Sequence, residues 1–471
     1  MDVSARREAF RLLPSVDELL RHPRIVELEQ SLGRDQVRAF CQEALEELRS
    51  AILSDRLEGE ELDRELSLEA VTQRIAGLAQ RDGESGLGRV VNASGVVLHT
   101  GLGRAPVHPE VAERMAEMAR SYCTLEIDRE SGQRGVRDAR LSELLSRLTG
   151  AEAGICVNNC AGAVLLTLST FAGGREAIVS RGELVEIGGS FRMPDVMKAV
   201  NAKLVEVGTT NRTRVADYRS RVGPDTGLLL KVHTSNFRVV GFTEEVSERE
   251  LGELGTELGV PSAFDLGSGL YESPELAPLD FLAGEPRIKE AVESGVDVVM
   301  FSGDKLLGAP QAGLLVGKKE TIQRLRKNPV YRAVRLDKAT LAGLEATIEM
   351  LVAGRGAELP TRRMLTANKD EVGQVAERLA GELCAHGSLS VRVLDSDSQP
   401  GSGSAPTIYI PTRAVAVRHE SLSAGELARA LRLGEPSVWG RVQDDQLILD
   451  PRTFLEGDFE RVVAAFRTLL G

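Results

Sequence analysis

Apolar positions in the first part of the chain recur at helical spacing. Val37, Phe40, Ala44, Leu45 and Leu48 fall three to four apart, and this spacing predicts one buried helix face. Upstream, Ser15-Val16-Asp17-Glu18 has capping-box spacing and leads into Leu19 and Leu20. A helical segment is therefore predicted over residues 1–65, with Gly59 as a stop. From Gly88 to about Glu345 the pattern becomes short runs that are apolar on both faces. They are predicted as strands at Gly154–Val157, Ala177–Val179, Lys203–Val207, Leu228–Val232, Ser262–Phe264, Val296–Phe301 and Leu314–Val316. Helix-length intervals separate them, so a mostly parallel sheet covered by helices is predicted for residues 66–345, a large α/β domain. Residues 346–471 change again and read as a small α+β domain. Its strands are expected at Ser390–Leu394, Thr407–Ile410 and Leu447–Leu449, its helices at Ala424–Leu431 and Asp458–Leu470, and a surface loop at Asp395–Ser404.

Composition narrows the class. The 471 residues are enough for two or three domains and a large core. No apolar run approaches the roughly 20 residues of a membrane span, and the charged start lacks the apolar stretch of a signal peptide, so a cytoplasmic protein is expected. Five scattered cysteines, Cys41, Cys123, Cys156, Cys160 and Cys384, read as reduced thiols. Cys156 and Cys160 are four apart but have no cluster of partner ligands, so no metal site is expected. A net charge of −12 argues against broad affinity for nucleic acid. Residues 1–60 hold nine arginines against thirteen acidic residues. On residues alone that segment reads equally as a dimerisation arm or an RNA-binding module.

Candidate chemistry concentrates at strand ends, where the loops of a parallel sheet carry active residues. Lys305 stands just past the apolar run Val296 to Phe301, in Ser302-Gly303-Asp304-Lys305-Leu306-Leu307-Gly308-Ala309-Pro310-Gln311-Ala312-Gly313. A half-desolvated amine there suits a Schiff base; the plain alternative is a surface lysine. Asp265, in Phe264-Asp265-Leu266-Gly267-Ser268-Gly269, repeats the layout forty residues earlier, with a helix N-cap as its plain alternative. A carboxylate and an amine so placed are what pyridoxal 5′-phosphate (PLP) needs: one holds the pyridine nitrogen protonated, the other carries the aldehyde. Asn158-Asn159-Cys160-Ala161-Gly162-Ala163 follows a strand and opens an apolar helix, which suits a phosphate at backbone N–H groups of Asn159, Cys160 and Ala161. His233, Ser235 and Asn236 follow the strand Leu228–Val232 on the same side.

Several long motifs resemble one known family in order. They are "LPSVDELL" (Leu13 to Leu20), "GRVVNASGVVLHTGLGRA" (Gly88 to Ala105), "VSRGELVEIGGSFRMPDVMKAVNAKLVEVGTTNRT" (Val179 to Thr213), "KVHTSNFRVVGFT" (Lys231 to Thr243) and "SGDKLLGAPQAG" (Ser302 to Gly313). Together they resemble bacterial selenocysteine synthase, the L-seryl-tRNA(Sec) selenium transferase, over nearly the whole chain. The resemblance implies a PLP-dependent transferase of fold type I, the aspartate aminotransferase fold. The implied reaction converts L-seryl-tRNA(Sec) to L-selenocysteinyl-tRNA(Sec) with selenophosphate, through an aminoacrylyl-tRNA. The same core would also suit a PLP lyase or β-eliminase for a small amino acid or amino sugar phosphate.

The resemblance implies Lys305 and Asp304 as catalytic, with Asp304 or a water as the acid for the departing hydroxide. It supports Asp265 at the pyridine nitrogen, and analogy with related PLP enzymes suggests Asn236, with His233, near the cofactor's 3′-oxygen. Arg104, Arg332 and Arg335 would bind the anionic donor, since a guanidinium fork suits tetrahedral oxygens. The family usually carries asparagine where this chain has Cys160, and Asn-Leu-Gly-Arg where it has Gly101-Leu102-Gly103-Arg104. The resemblance also implies tRNA recognition by the N-terminal segment and a homo-oligomer, a decameric ring of dimers.

Overall fold

The computed structural model describes residues 3–54, 57, 59–83, 86–189, 191–276, 279–282, 284–401 and 408–470. The chain forms two compact units, divided between Arg89 and Val90.

The first unit is helical. Val37, Phe40, Ala44, Leu45 and Leu48 are all buried along the helix Arg34–Leu53, as their spacing predicts. They pack with Leu19 and Ile25, and with Val71, Ile75 and Leu78 of the helix Leu68–Gly83, so this core takes in residues beyond the expected boundary at 65. Gly59 does not end the long helix, which stops at Leu53; it opens the next, Gly59–Leu66, with φ +58°.

In the second unit the apolar runs become a seven-stranded sheet. Its strands are β1 (Ala153–Val157), β2 (Glu176–Ser180), β3 (Lys203–Val207), β4 (Thr226–Val232), β5 (Ser262–Gly267), β6 (Val298–Ser302) and β7 (Gly313–Gly317). The spatial order is β1-β7-β6-β5-β4-β2-β3, parallel throughout except β7, which runs antiparallel between β1 and β6. Alternate residues face opposite helix layers. In β6, Val299 and Phe301 join a core with Leu141, Leu144, Leu344 and Ile348, while Val298 and Met300 join Val164, Leu168 and Met197.

The C-terminal part has its own core, in which Leu379, Leu383, Val415, Val417, Leu449, Val462 and Phe466 pack helices on an antiparallel sheet. The expected loop Asp395–Ser404 is in fact strand as far as Ser398. Leu389–Ser398 pairs with Ile410–His419 in unbroken register, which satisfies its backbone despite polar side chains. Residues 402–404, and Thr407 of the expected strand Thr407–Ile410, lie outside the described residues; the observed strand begins at Ile410. The boundary expected near 345 falls inside the helix Lys338–Val352. Among the described residues no helix is long and apolar enough to cross a membrane.

Candidate active site

Three neighbouring strand ends and one helix start meet around a single cavity of about 190 Å³. Arg104, Asn159, Cys160, Ala161, His233, Asp265, Asp304 and Lys305 all line it. Lys305 follows the end of β6 in a turn pinned by backbone bonds, from Gly303 N to Ala312 O at 2.9 Å and from Leu306 N to Ser268 O at 3.0 Å. Gly303 is required there, since a Cβ would sit 2.6 Å from the Pro310 carbonyl oxygen. The lysine is 6% exposed, which removes the surface reading.

Asp265 is on β5 next to a register irregularity at Gly267, whose φ is +72°. Its carbonyl accepts from His233 N at 2.9 Å, which fixes β4's exit beside it. The carboxyl group is buried, and that burial pushes its pKa up. A hydrogen bond from Cys160 and the charges of Lys305 and His233 oppose the shift.

Asn159 caps the helix Cys160–Phe171, its Oδ1 accepting from Gly162 N at 2.9 Å. The N–H groups of Cys160 and Ala161 lie in the first turn and have no intrahelical acceptor. Asn158 N donates to Val334 O at 2.7 Å, and the Asn158 side-chain amide donates to the carbonyls of Val334 and Arg335 at 3.1 Å each.

Arg104 adopts a left-handed backbone, φ +62°, directly after Gly103 at φ +92°. Its Nη1 donates to Asp304 Oδ2 at 3.0 Å, with the two side chains 28% and 10% exposed. In this pair Asp304 Oδ2 is the acceptor, an arrangement that orients the Arg104 guanidinium.

Three expected residues are not on the cavity wall. Asn236 Nδ2 donates instead to Glu186 O at 2.6 Å, which anchors the hairpin of Glu186–Ile187 and Phe191–Arg192. Arg332 is exposed, and Arg335 reaches Glu126 at 3.5 Å. Both lie on or just after the short helix Pro329–Val334, which turns their side chains elsewhere. Conversely, Ser302, Gln311, Ile187, Gly188 and Phe191 line the cavity without having been singled out. Ser302 and Gln311 flank Lys305 in its motif, a signal that was there to read. Ile187 and Phe191 pair across a local hairpin with Gly188-Gly189 in its connection, and the tertiary bond from Asn236 to Glu186 O ties that hairpin to the cavity.

The residues fit a pyridine ring that carries an aldehyde and a phosphate. A buried carboxylate with incompletely compensated charge complements a cationic ring nitrogen, a buried amine faces the same space, and a helix start offers N–H groups to an anion. On this sheet, such a constellation defines the PLP-dependent enzymes of fold type I. A solved structure of D-glucosaminate-6-phosphate ammonia-lyase shares the fold at a TM-score of 0.57 and 22% identity, covering 83% of this chain and 98% of that one.

Sequence comparison narrows the class. Residues 90–455 match the L-seryl-tRNA selenium transferase family and residues 10–49 the selenocysteine synthase N-terminal family. The curated L-seryl-tRNA(Sec) selenium transferase of Aquifex aeolicus is 43% identical, over 96% of this chain and 99% of its own length. Its counterpart in Geobacter sulfurreducens is 46% identical over 98% and 99%. This chain belongs to the L-seryl-tRNA(Sec) selenium transferase family.

Proposed function

We propose that this chain is a PLP-dependent enzyme that converts L-seryl-tRNA(Sec) to L-selenocysteinyl-tRNA(Sec) with selenophosphate as donor. The observation that carries the reading is the burial of Lys305 and Asp265 on one cavity beside the start of the helix Cys160–Phe171, in a chain matched to this family over residues 90–455. When bound, the cofactor supplies an electron sink for charge developing at the serine Cα.

The chain's own residues do the rest. Lys305 Nζ would hold the cofactor through its aldehyde, and the same amine is placed to take the proton from the serine Cα. Asp265 would accept from the ring nitrogen and keep it cationic. The N–H groups of Cys160 and Ala161 would hold the phosphate. Arg104, steered by Asp304, presents its guanidinium to the anionic donor. Ile187 and Phe191 line the wall with apolar surface and help keep water from the reacting carbon.

Family membership also supports seryl-tRNA(Sec) recognition by the N-terminal helical unit, assembly into a ring of dimers, and a cytoplasmic setting. The lyase reading gains nothing from the ammonia-lyase likeness, which at 22% identity speaks only for the fold.

The test is incubation with charged seryl-tRNA(Sec) and selenophosphate, followed by mass analysis of the aminoacyl group. Selenocysteinyl product is expected, and Lys305→Ala should abolish both the product and the cofactor's visible absorption band. Purified protein that ignores seryl-tRNA but deaminates a small amino acid would sink the reading.

A further inference from the structure

Cys160 carries a side-chain contact that its place at a phosphate-binding helix start does not require. It is the first residue of a helix capped by Asn159, so its Cα is fixed, and its Sγ lies 3.4 Å from Asp265 Oδ1, 105 residues away in sequence. Ser302, at the end of β6, also acts on the same sulfur and lines the same cavity. The thiol thus sits between two strand ends, on the carboxylate that the proposed cofactor needs.

We propose that Cys160 is a positioning residue for Asp265. Its S–H donates to Oδ1 and holds the carboxylate ionised and aimed, leaving Oδ2 for the ring nitrogen of PLP. The inference rests on the cofactor reading above and adds a role to it.

Asp265 is 6% exposed, so water does little to stabilise its charge and each protein donor matters. Burial and the nearby Asp265 push the Cys160 thiol well above its ordinary value, so it stays protonated, a donor rather than a nucleophile. The other groups that favour the charged form of Asp265 are the charges of Lys305 and His233 and the backbone N–H of Gly267, so Cys160 supplies the side-chain hydrogen bond. A thiol that merely filled space would be replaced equally well by alanine or serine.

The test uses the full chain, PLP as probe, and the variants Cys160→Ala and Cys160→Ser. Without this side-chain donor the carboxylate would be more basic, the Gly267 N–H alone remaining, and with PLP bound it would draw the shared proton from the ring. A less cationic ring then draws fewer electrons from the group attached at Lys305. In Cys160→Ala the dissociation constant for PLP should therefore rise about threefold to tenfold, the span of one net hydrogen bond. The pH midpoint of the visible band should move up. Cys160→Ser, which keeps a donor, should return both toward the wild type.

A reciprocal arm needs no cofactor and does not depend on how Cys160→Ala folds. Asp265→Asn removes the negative charge beside the thiol, so alkylation of Cys160 by iodoacetamide at mildly alkaline pH, read by peptide mass, should quicken. A wild-type band whose affinity and midpoint are unchanged in Cys160→Ala would overturn the inference, as would unchanged alkylation in Asp265→Asn. A wild-type protein that binds no PLP at all would instead overturn the proposed function, and the positioning role with it.

Discussion

At the scale of single residues, charge placement in and around the cavity decides what each group does. Arg104 is the one of the three expected arginines that lines the cavity. Its replacement by alanine should raise the KM for selenophosphate about tenfold to a hundredfold, the worth of one charge-assisted contact, while leaving the visible band in place. Steady-state rates against donor concentration check this, and Arg104→Lys should rescue little because an ammonium lacks the planar fork. Beneath the neighbouring cleft, Glu183 lies 3.6 Å from Lys231 Nζ and accepts from Val232 N at 3.0 Å. Burial nonetheless pushes its carboxyl up to about 7 from 4.5. A folded-state value above the unfolded one means that folding favours the protonated form. That stabilisation is complete below about pH 4.5 and is lost as pH rises through about 7. The stability of the wild type relative to Glu183→Gln should therefore fall between pH 5 and 8, measured by denaturant unfolding; an equal difference at both would refute the assignment.

At the scale of elements, the site exists because strands end close to one another and to a helix start. Gly313 opens β7 directly against the cap of the helix Cys160–Phe171, and a Cβ there would lie 2.1 Å from the Asn159 carbonyl oxygen. The neighbour is backbone and cannot swing aside. Gly313→Ala should cost about 1–3 kcal/mol of stability, the usual toll of overpacking, and should weaken PLP binding by displacing the Cys160 and Ala161 amides. Chemical denaturation and a PLP titration read the two effects separately. Normal PLP affinity in that variant would show that the helix start does not hold the phosphate. The central strands were legible in sequence because runs buried on both faces leave a continuous apolar signature, as in β4 and β6. The strand Leu389–Ser398 was legible only in its first half, since Asp395, Ser396 and Asp397 are polar and its pairing partner supplies the order.

At the scale of the whole molecule, the two compact units divide the proposed labour. Residues 90–471 contain the entire cavity and its supporting cores. The helical unit ahead of them has its own core. A chain lacking residues 1–89 should keep the cofactor's visible band yet lose the gel shift with seryl-tRNA(Sec). If it still shifts the tRNA as the full chain does, recognition belongs elsewhere. The net charge of −12 makes this test sharp, because non-specific adhesion to RNA should be slight.

Local pattern was sufficient for the helix face of Arg34–Leu53, the strand-end positions of Lys305 and Asp265, and the glycine turns that carry them. Each depends on neighbours a few residues away, and periodicity records those directly. Folding in three dimensions decided the rest. The insertion of antiparallel β7 between β1 and β6, the pairing of Arg104 with Asp304 across 200 residues, and the thiol of Cys160 on Asp265 have no local trace. The same holds for Asn236, Arg332 and Arg335, which left the cavity because their side chains found partners or solvent on other faces. Where a side chain points is set by packing between distant segments, and a linear pattern does not contain that information.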